Sequence, residues 1–145
     1  MPAVFHISHR VTQDDLDEVI NHVNNLVYLK WMQSAAVAHS AAQGWPADRY
    51  RDLGAGWVVR AHQIEYLQPA FAGDEIVVRT WVADLKKVTS LRRYEIVRVT
   101  PEKETVLAKA FTDWAFIHFA THFPKRIPPE VSSAFEIVAD SLPAG

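Results

Sequence analysis

Apolar and polar positions along the chain follow two periods. Between Asn24 and about Gln43, Leu26, Leu29, Met32 and Ala36 recur every three to four residues, and Trp31, Ala35, Ala38 and Ala42 form a second stripe at the same spacing. That period predicts an α-helix, and Ala35, Ala36, Ala38, Ala41 and Ala42 favour one. Two apolar stripes predict a helix enclosed by other structure. Gly44 is a natural stop, and a loop is expected from there through Asp52. Further on, Trp57–Leu67, Glu75–Ala83, Leu91–Val99 and Val106–Phe119 are rich in β-branched and aromatic residues and predict strands. Gly73-Asp74 and Pro101-Glu102-Lys103-Glu104 are turn signals between them. The connections are too short for crossover helices, so the strands should be antiparallel. Ahead of the helix, Phe5–Val11 alternates loosely and predicts a first strand, followed by an acidic turn, Asp14-Asp15-Leu16-Asp17-Glu18. Near the other end, the segment Pro124–Pro129 leads to a short helix expected over Glu130–Phe135.

One strand, one long helix and four antiparallel strands suit a single curled sheet wrapped round a central helix, because each must bury an apolar face. The expected class is α+β with the hotdog arrangement, residues 1–145 forming one domain. Proline and glycine, down to Pro143, fall at the joints, and no repeat or low-complexity linker suggests a boundary.

Composition narrows the chemistry. The chain has 145 residues, no cysteine and a formal net charge of −2. The absence of cysteine excludes disulfides, thiolate zinc sites, iron–sulfur clusters and a thiol nucleophile, and fits a cytoplasmic protein. Near-neutral charge offers no general attraction to nucleic acid or an anionic membrane. Trp31–Ala47 is the longest stretch free of Asp, Glu, Lys and Arg, but Gln33, Ser34, His39, Ser40 and Gln43 interrupt it, so it reads as a helix of a soluble protein. No signal peptide is visible, since His6, His9 and Arg10 break any apolar run.

The informative cluster lies at residues 14–31. All three asparagines of the chain, Asn21, Asn24 and Asn25, surround His22; Asp14, Asp15, Asp17 and Glu18 precede them, and Tyr28 and Trp31 follow about one helical turn apart. Capping explains part of this, because Asn and Asp favour helix N-termini and acids complement the dipole. It leaves His22 and the density of amides unexplained. A helix N-terminus also presents unpaired backbone N–H groups, which can hold a developing oxyanion. A carboxylate beside it can activate water or attack directly. Asn25 could orient that carboxylate or donate to a carbonyl, and His22 could position the carboxylate or a water.

Asp15-Leu16-Asp17, His22-Val23-Asn24-Asn25, Tyr28 and Trp31 resemble the hallmark of hotdog-fold acyl-CoA thioesterases related to 4-hydroxybenzoyl-CoA thioesterase. Ile64–Ala70, Gly73-Asp74-Glu75, Thr80-Trp81-Val82, Arg93-Tyr94-Glu95, Trp114 and Arg126-Ile127-Pro128 continue the likeness over most of the chain. The resemblance implies that Asp17, the second Asp of the doublet, is the catalytic carboxylate. The family usually places it four residues before the His; Asp17 is five before His22, so a gap-free register puts Glu18 in that slot. It further implies backbone amides near Asn24–Leu26 as the carbonyl site, with Asn25 and His22 orienting groups. Tyr28 and Trp31 would shape an acyl tunnel. A homodimer or homotetramer with sites between subunits is also implied.

Lys86, Lys87, Arg92 and Arg93 cluster at one expected strand turn. They read as a solvated hairpin end or as partners for the phosphates of coenzyme A; an acidic acyl carrier protein could use the same patch. Glu65 reads as structural or interfacial. His118 and His122 have a spacing that suits a metal only on a helix, and they fall in a strand, so no metal is expected and no cofactor is required. Gly54-Ala55-Gly56 lacks the third Gly of a dinucleotide fingerprint, and there is no Walker loop or Gly-x-Ser-x-Gly elbow. The expected activity is therefore hydrolysis of an acyl-CoA thioester by a carboxylate. A hotdog hydratase or dehydratase on acyl thioesters and a non-catalytic acyl-CoA-binding protein are the alternatives.

Overall fold

The computed structural model describes residues 3–139; Pro143 lies outside them. Its elements run β1 (Phe5–Arg10), a 3-10 turn (Gln13–Asp15), α1 (Asn25–Ala42), α2 (Ala47–Leu53), β2 (Ala55–Tyr66), β3 (Glu75–Leu85), β4 (Thr89–Val99), β5 (Glu104–His118) and α3 (Pro129–Ser132). The five strands form one antiparallel sheet in the order β1-β3-β4-β5-β2, the curled sheet and long helix that the sequence pattern suggests.

Side-chain alternation decides which face of the sheet meets α1. Ile76, Val78, Thr80 and Val82 of β3 and Ser90, Arg92, Tyr94 and Ile96 of β4 are buried, with partly exposed residues between them. The strict period breaks where the pairing register shifts, between Val82 and Asp84 and between Ile96 and Val97. An extra residue in one strand bends it and raises the local twist.

Two apolar clusters result. One packs Tyr28, Trp31, Met32 and Ala35 of α1 against Ile76, Val78, Tyr94, Ile96 and Leu107. The other gathers Trp45, Tyr50, Val82, Phe116, Val131 and Phe135. Between them along the strands runs a polar layer. There His39 and Thr80 contact Arg92, and Thr112 joins the Tyr94 hydroxyl to His62.

Three sequence expectations need correction. The segment expected as a loop through Asp52 contains α2, ended by Gly54 in the left-handed region at φ 77°. Its place is fixed by the Tyr50 hydroxyl, which accepts a hydrogen bond from Trp57 Nε1 at 3.1 Å and shares one with Ser40 Oγ at 2.9 Å. The last helix begins at Pro129 and ends at Ser132, so Phe135 lies beyond it. And α1 is not enclosed all round: Trp31 and Ala35 of the second stripe are buried, but Ala42 is exposed, as are Leu26 and Val37 at 66% and 53%. The outer strand β2 is likewise exposed from Val58 to Gln63. No helix among the described residues is long and apolar enough to cross a membrane.

Candidate functional site

The chain between the 3-10 turn and α1 folds back on itself. Leu16 and Val23 form an antiparallel bridge. The Asp17 N–H donates to the His22 carbonyl at 2.9 Å, and the Asn24 N–H to the Asp15 carbonyl at 3.0 Å. This small closed loop brings Asp17 to the start of α1. Asp17 Oδ1 accepts from the Val19 N–H at 2.8 Å and the Ile20 N–H at 3.4 Å, while Oδ2 accepts from Asn24 Nδ2 at 3.1 Å. Short polar side chains turn the backbone in this way. The Val19 and Ile20 N–H groups hold the Asp17 carboxyl below its ordinary value, with a smaller contribution from His22.

Asn24 is the N-cap of α1. Its Oδ1 accepts from the Leu26 N–H at 2.8 Å, so one amide links the carboxylate to the helix terminus. The same cap changes the expected carbonyl site. The Asn24 and Leu26 N–H groups are engaged by Asp15 and by the Asn24 side chain. Only the Asn25 N–H of that trio has no acceptor among the described residues. Asn25 is exposed, and its backbone carbonyl accepts from the Tyr66 hydroxyl at 2.9 Å.

Glu18 is exposed and has no hydrogen-bond partner among the described residues. The His22 ring lies 3.3 Å from the Val23 carbonyl through Nδ1 and meets Phe71 edge-on, without a hydrogen bond to Asp17. Asp15 is turned away from the site, toward His9 at 2.8 Å. Partial burial raises its pKa, but hydrogen bonds from His9 and Thr12 outweigh that and leave it lowered.

Other residues singled out by sequence go elsewhere. Tyr28 and Trp31 are buried in the first apolar cluster, where the Tyr28 ring lies tilted against Trp31 and edge-on to Tyr66, at 5.1 Å each. Burial raises the Tyr28 pKa. Leu26 is exposed. Lys86 and Lys87 are exposed at the β3–β4 turn and line a cavity of about 410 Å³ with Arg126, a cation the sequence reading did not assign to the site. Arg93 lies on the outer face near the Phe111 ring. Arg92 does not join the surface patch: it is 6% exposed and reaches His39 Nδ1 and Thr80 Oγ1 beneath the sheet.

A second cavity, of about 270 Å³, lies between the C-terminal half of α1 and the sheet, with Ala36, Ser40, Tyr50, Trp57, Arg92 and Trp114 among its walls. The sequence reading missed it. The available signal was strand period: Arg92 shares a face with Tyr94 and Ile96 and so must point inward.

Solved structures with the same architecture are similar over nearly the whole chain. A 1,4-dihydroxy-2-naphthoyl-CoA thioesterase from Synechocystis is 19% identical with a TM-score of 0.81, over 90% of this chain and 94% of that one. An aspartate-to-asparagine mutant of 4-hydroxybenzoyl-CoA thioesterase, complexed with 4-hydroxybenzoyl-CoA, is 15% identical with a TM-score of 0.83, over 93% and 100%. The dynemicin thioesterase is 24% identical with a TM-score of 0.82, over 94% and 99%. At these identities the likeness shows the hotdog fold. The sequence match extends over residues 11–135, and on it the chain belongs to the thioesterase-like superfamily.

Proposed function

We propose that the protein hydrolyses an acyl-CoA thioester to the free acid and coenzyme A, with Asp17 as the catalytic carboxylate. The observation that carries this reading is the Asp17–Asn24 hydrogen bond at the capped start of α1. The lowered pKa keeps Asp17 ionised at neutral pH. As general base it takes a proton from water, the resulting hydroxide adds to the carbonyl, and the thiolate leaves with a proton. As nucleophile it displaces the thiolate directly, and water then hydrolyses the mixed anhydride. Both routes develop an oxyanion, which the free Asn25 N–H and the positive end of α1 stabilise. His22 orients the loop that carries Asp17, and the Asn25 side chain is free to meet substrate.

The cavity at Lys86, Lys87 and Arg126 suits the phosphates of coenzyme A, since ionised hydrogen bonds to phosphate are the strong ones. It lies at the far end of β3 from Asp17. A second copy brings the two ends together. β2 is an edge strand of 12 residues, and its exposed Val58, Val59, Tyr66 and Leu67 suit pairing with the same strand of another copy. Antiparallel pairing sets the Tyr66 end of one β2 against the Ala55 end of the other. Because Tyr66 bonds to Asn25, the start of one α1 then lies beside the cavities of the other copy. The active unit is a homodimer.

A thiol-release screen across aromatic and aliphatic acyl-CoA esters tests the reading, run beside enoyl-CoA and hydroxyacyl-CoA. Free thiol from at least one acyl-CoA, at a rate dependent on Asp17, is expected. Enoyl–hydroxyacyl interconversion without thiol release would show a hydratase, and tight binding with no turnover a carrier.

A further inference from the structure

We propose that the cavity between the C-terminal half of α1 and the sheet binds an apolar acyl group whose far end carries a carboxylate, received by the Arg92 guanidinium. The cavity holds about 270 Å³. A dry apolar cavity of about 150 Å³ takes benzene, so this one accommodates a ring or a folded chain with a terminal group.

Its walls are mainly aromatic and aliphatic, with one buried cation. Arg92 has no carboxylate partner among the described residues. Both Nη1 protons are engaged, by His39 Nδ1 at 2.9 Å and Thr80 Oγ1 at 3.1 Å. A guanidinium carries five N–H donors, and the three on Nε and Nη2 have no hydrogen-bond partner among the described residues; they form the edge that grips a carboxylate in a fork. His39 does not balance the charge. Burial, then the Arg92 charge, lowers its pKa to about 4, so it is a neutral acceptor at pH 7.

The other polar groups of the cavity are differently placed. Ser40 donates to the Trp45 carbonyl, Trp57 to the Tyr50 hydroxyl and Ser90 to the Asp84 carbonyl. Trp114 Nε1 is buried near the Tyr94 hydroxyl without a well-formed hydrogen bond. The Arg92 guanidinium and the unpaired Trp114 Nε1 therefore line a mainly apolar space. A buried charge without an anion is costly; a ligand that brings an anion on an apolar body removes that cost. Leu85 borders both this cavity and the basic one, so acyl group and coenzyme A have neighbouring places. The identification of the ligand as an acyl-CoA rests on the thioesterase reading; the carboxylate preference rests on the cavity.

Trp45, Trp57 and Trp114 line the cavity, so tryptophan fluorescence reports its filling. The full-length protein is titrated with monomethyl suberate and with neutral dimethyl suberate. The monoanion is expected to bind about 10–100-fold more tightly. That preference should vanish in Arg92→Met and survive in part in Arg92→Lys. Suberoyl-CoA should likewise exceed octanoyl-CoA in kcat/KM by at least about tenfold. Equal binding of the two esters by the wild type, or binding of neither, overturns the proposal even if Arg92→Met does not fold. Selective binding with no thiol release from any acyl-CoA upholds the carboxylate site and overturns the thioesterase reading. Hydrolysis of both CoA esters at equal kcat/KM, with no selectivity in the titration, does the reverse.

Discussion

Asn24 acts on stability through one end of its amide and on Asp17 through the other, so two substitutions separate the roles. Its Oδ1 caps α1 at Leu26 and its Nδ2 holds Asp17. Asn24→Ala removes both. Loss of an N-cap costs about 1 kcal/mol, within a range of roughly 0.5–2, which lowers Tm by about 3 °C in a chain of this size. Asn24→Asp keeps the cap, because Asp ranks with Asn there and suits the helix dipole. Its Tm should stay within about 1 °C of wild type. It turns a carboxylate toward Asp17 in place of an amide donor, however. A like charge disfavours ionisation, so the acid limb of the pH–rate profile should move up from the lowered position that the Val19 and Ile20 N–H groups give it. With the tether lost, kcat should fall about 10–100-fold. Circular dichroism melts and thiol release across pH measure the two effects. A normal melt with wild-type kcat and pH profile in Asn24→Asp would refute the catalytic role of the tether. A wild-type melt in Asn24→Ala would refute the cap.

Three further outcomes are expected. His39 has a folded pKa of about 4 against an ordinary 6.5, so folding favours its neutral form. That contribution, of order 3 kcal/mol, is complete above the ordinary value and erodes as pH falls toward the folded one; thermal melts across this window should show the loss in wild type and a flatter profile in His39→Gln. Lys87→Glu combined with Arg126→Glu should raise KM for acyl-CoA at least tenfold while changing kcat little, as loss of uniform binding does, and steady-state kinetics at two ionic strengths check it. Lysine at both Val58 and Val59 should convert dimer to monomer in sedimentation velocity, since charge blunts an edge strand; a fully active wild-type monomer would contradict the shared site.

The sequence carried the architecture because its strands alternate and α1 keeps a three-to-four-residue stripe. It missed α2 because Ala47–Leu53 is short and mostly polar, with stability supplied by the distant contacts of Tyr50 to Ser40 and Trp57. Tyr28 and Trp31 read as tunnel residues from the resemblance, and period places them on the same buried helix face as Met32 and Ala35. Arg92 and Arg93 looked alike in a basic run, although adjacent strand residues face opposite ways. The loop holding Asp17 to Asn24 depends on backbone bonds at Asp15, Asp17 and His22, which residue spacing alone does not disclose. For the same reason the spacing left Asp17 and Glu18 as competitors.

Single-turnover thiol release by Asp17→Asn and Glu18→Gln, each with a wild-type melting profile, tests the role of Asp17 most directly. On the acyl-CoA that the screen identifies, Asp17→Asn should lose about 10²–10⁴-fold in rate, the range for a general base, while Glu18→Gln stays within about threefold of wild type, as expected for an exposed group without partners. Full activity in Asp17→Asn, or a loss confined to Glu18→Gln, would contradict the assignment of Asp17 as the catalytic carboxylate.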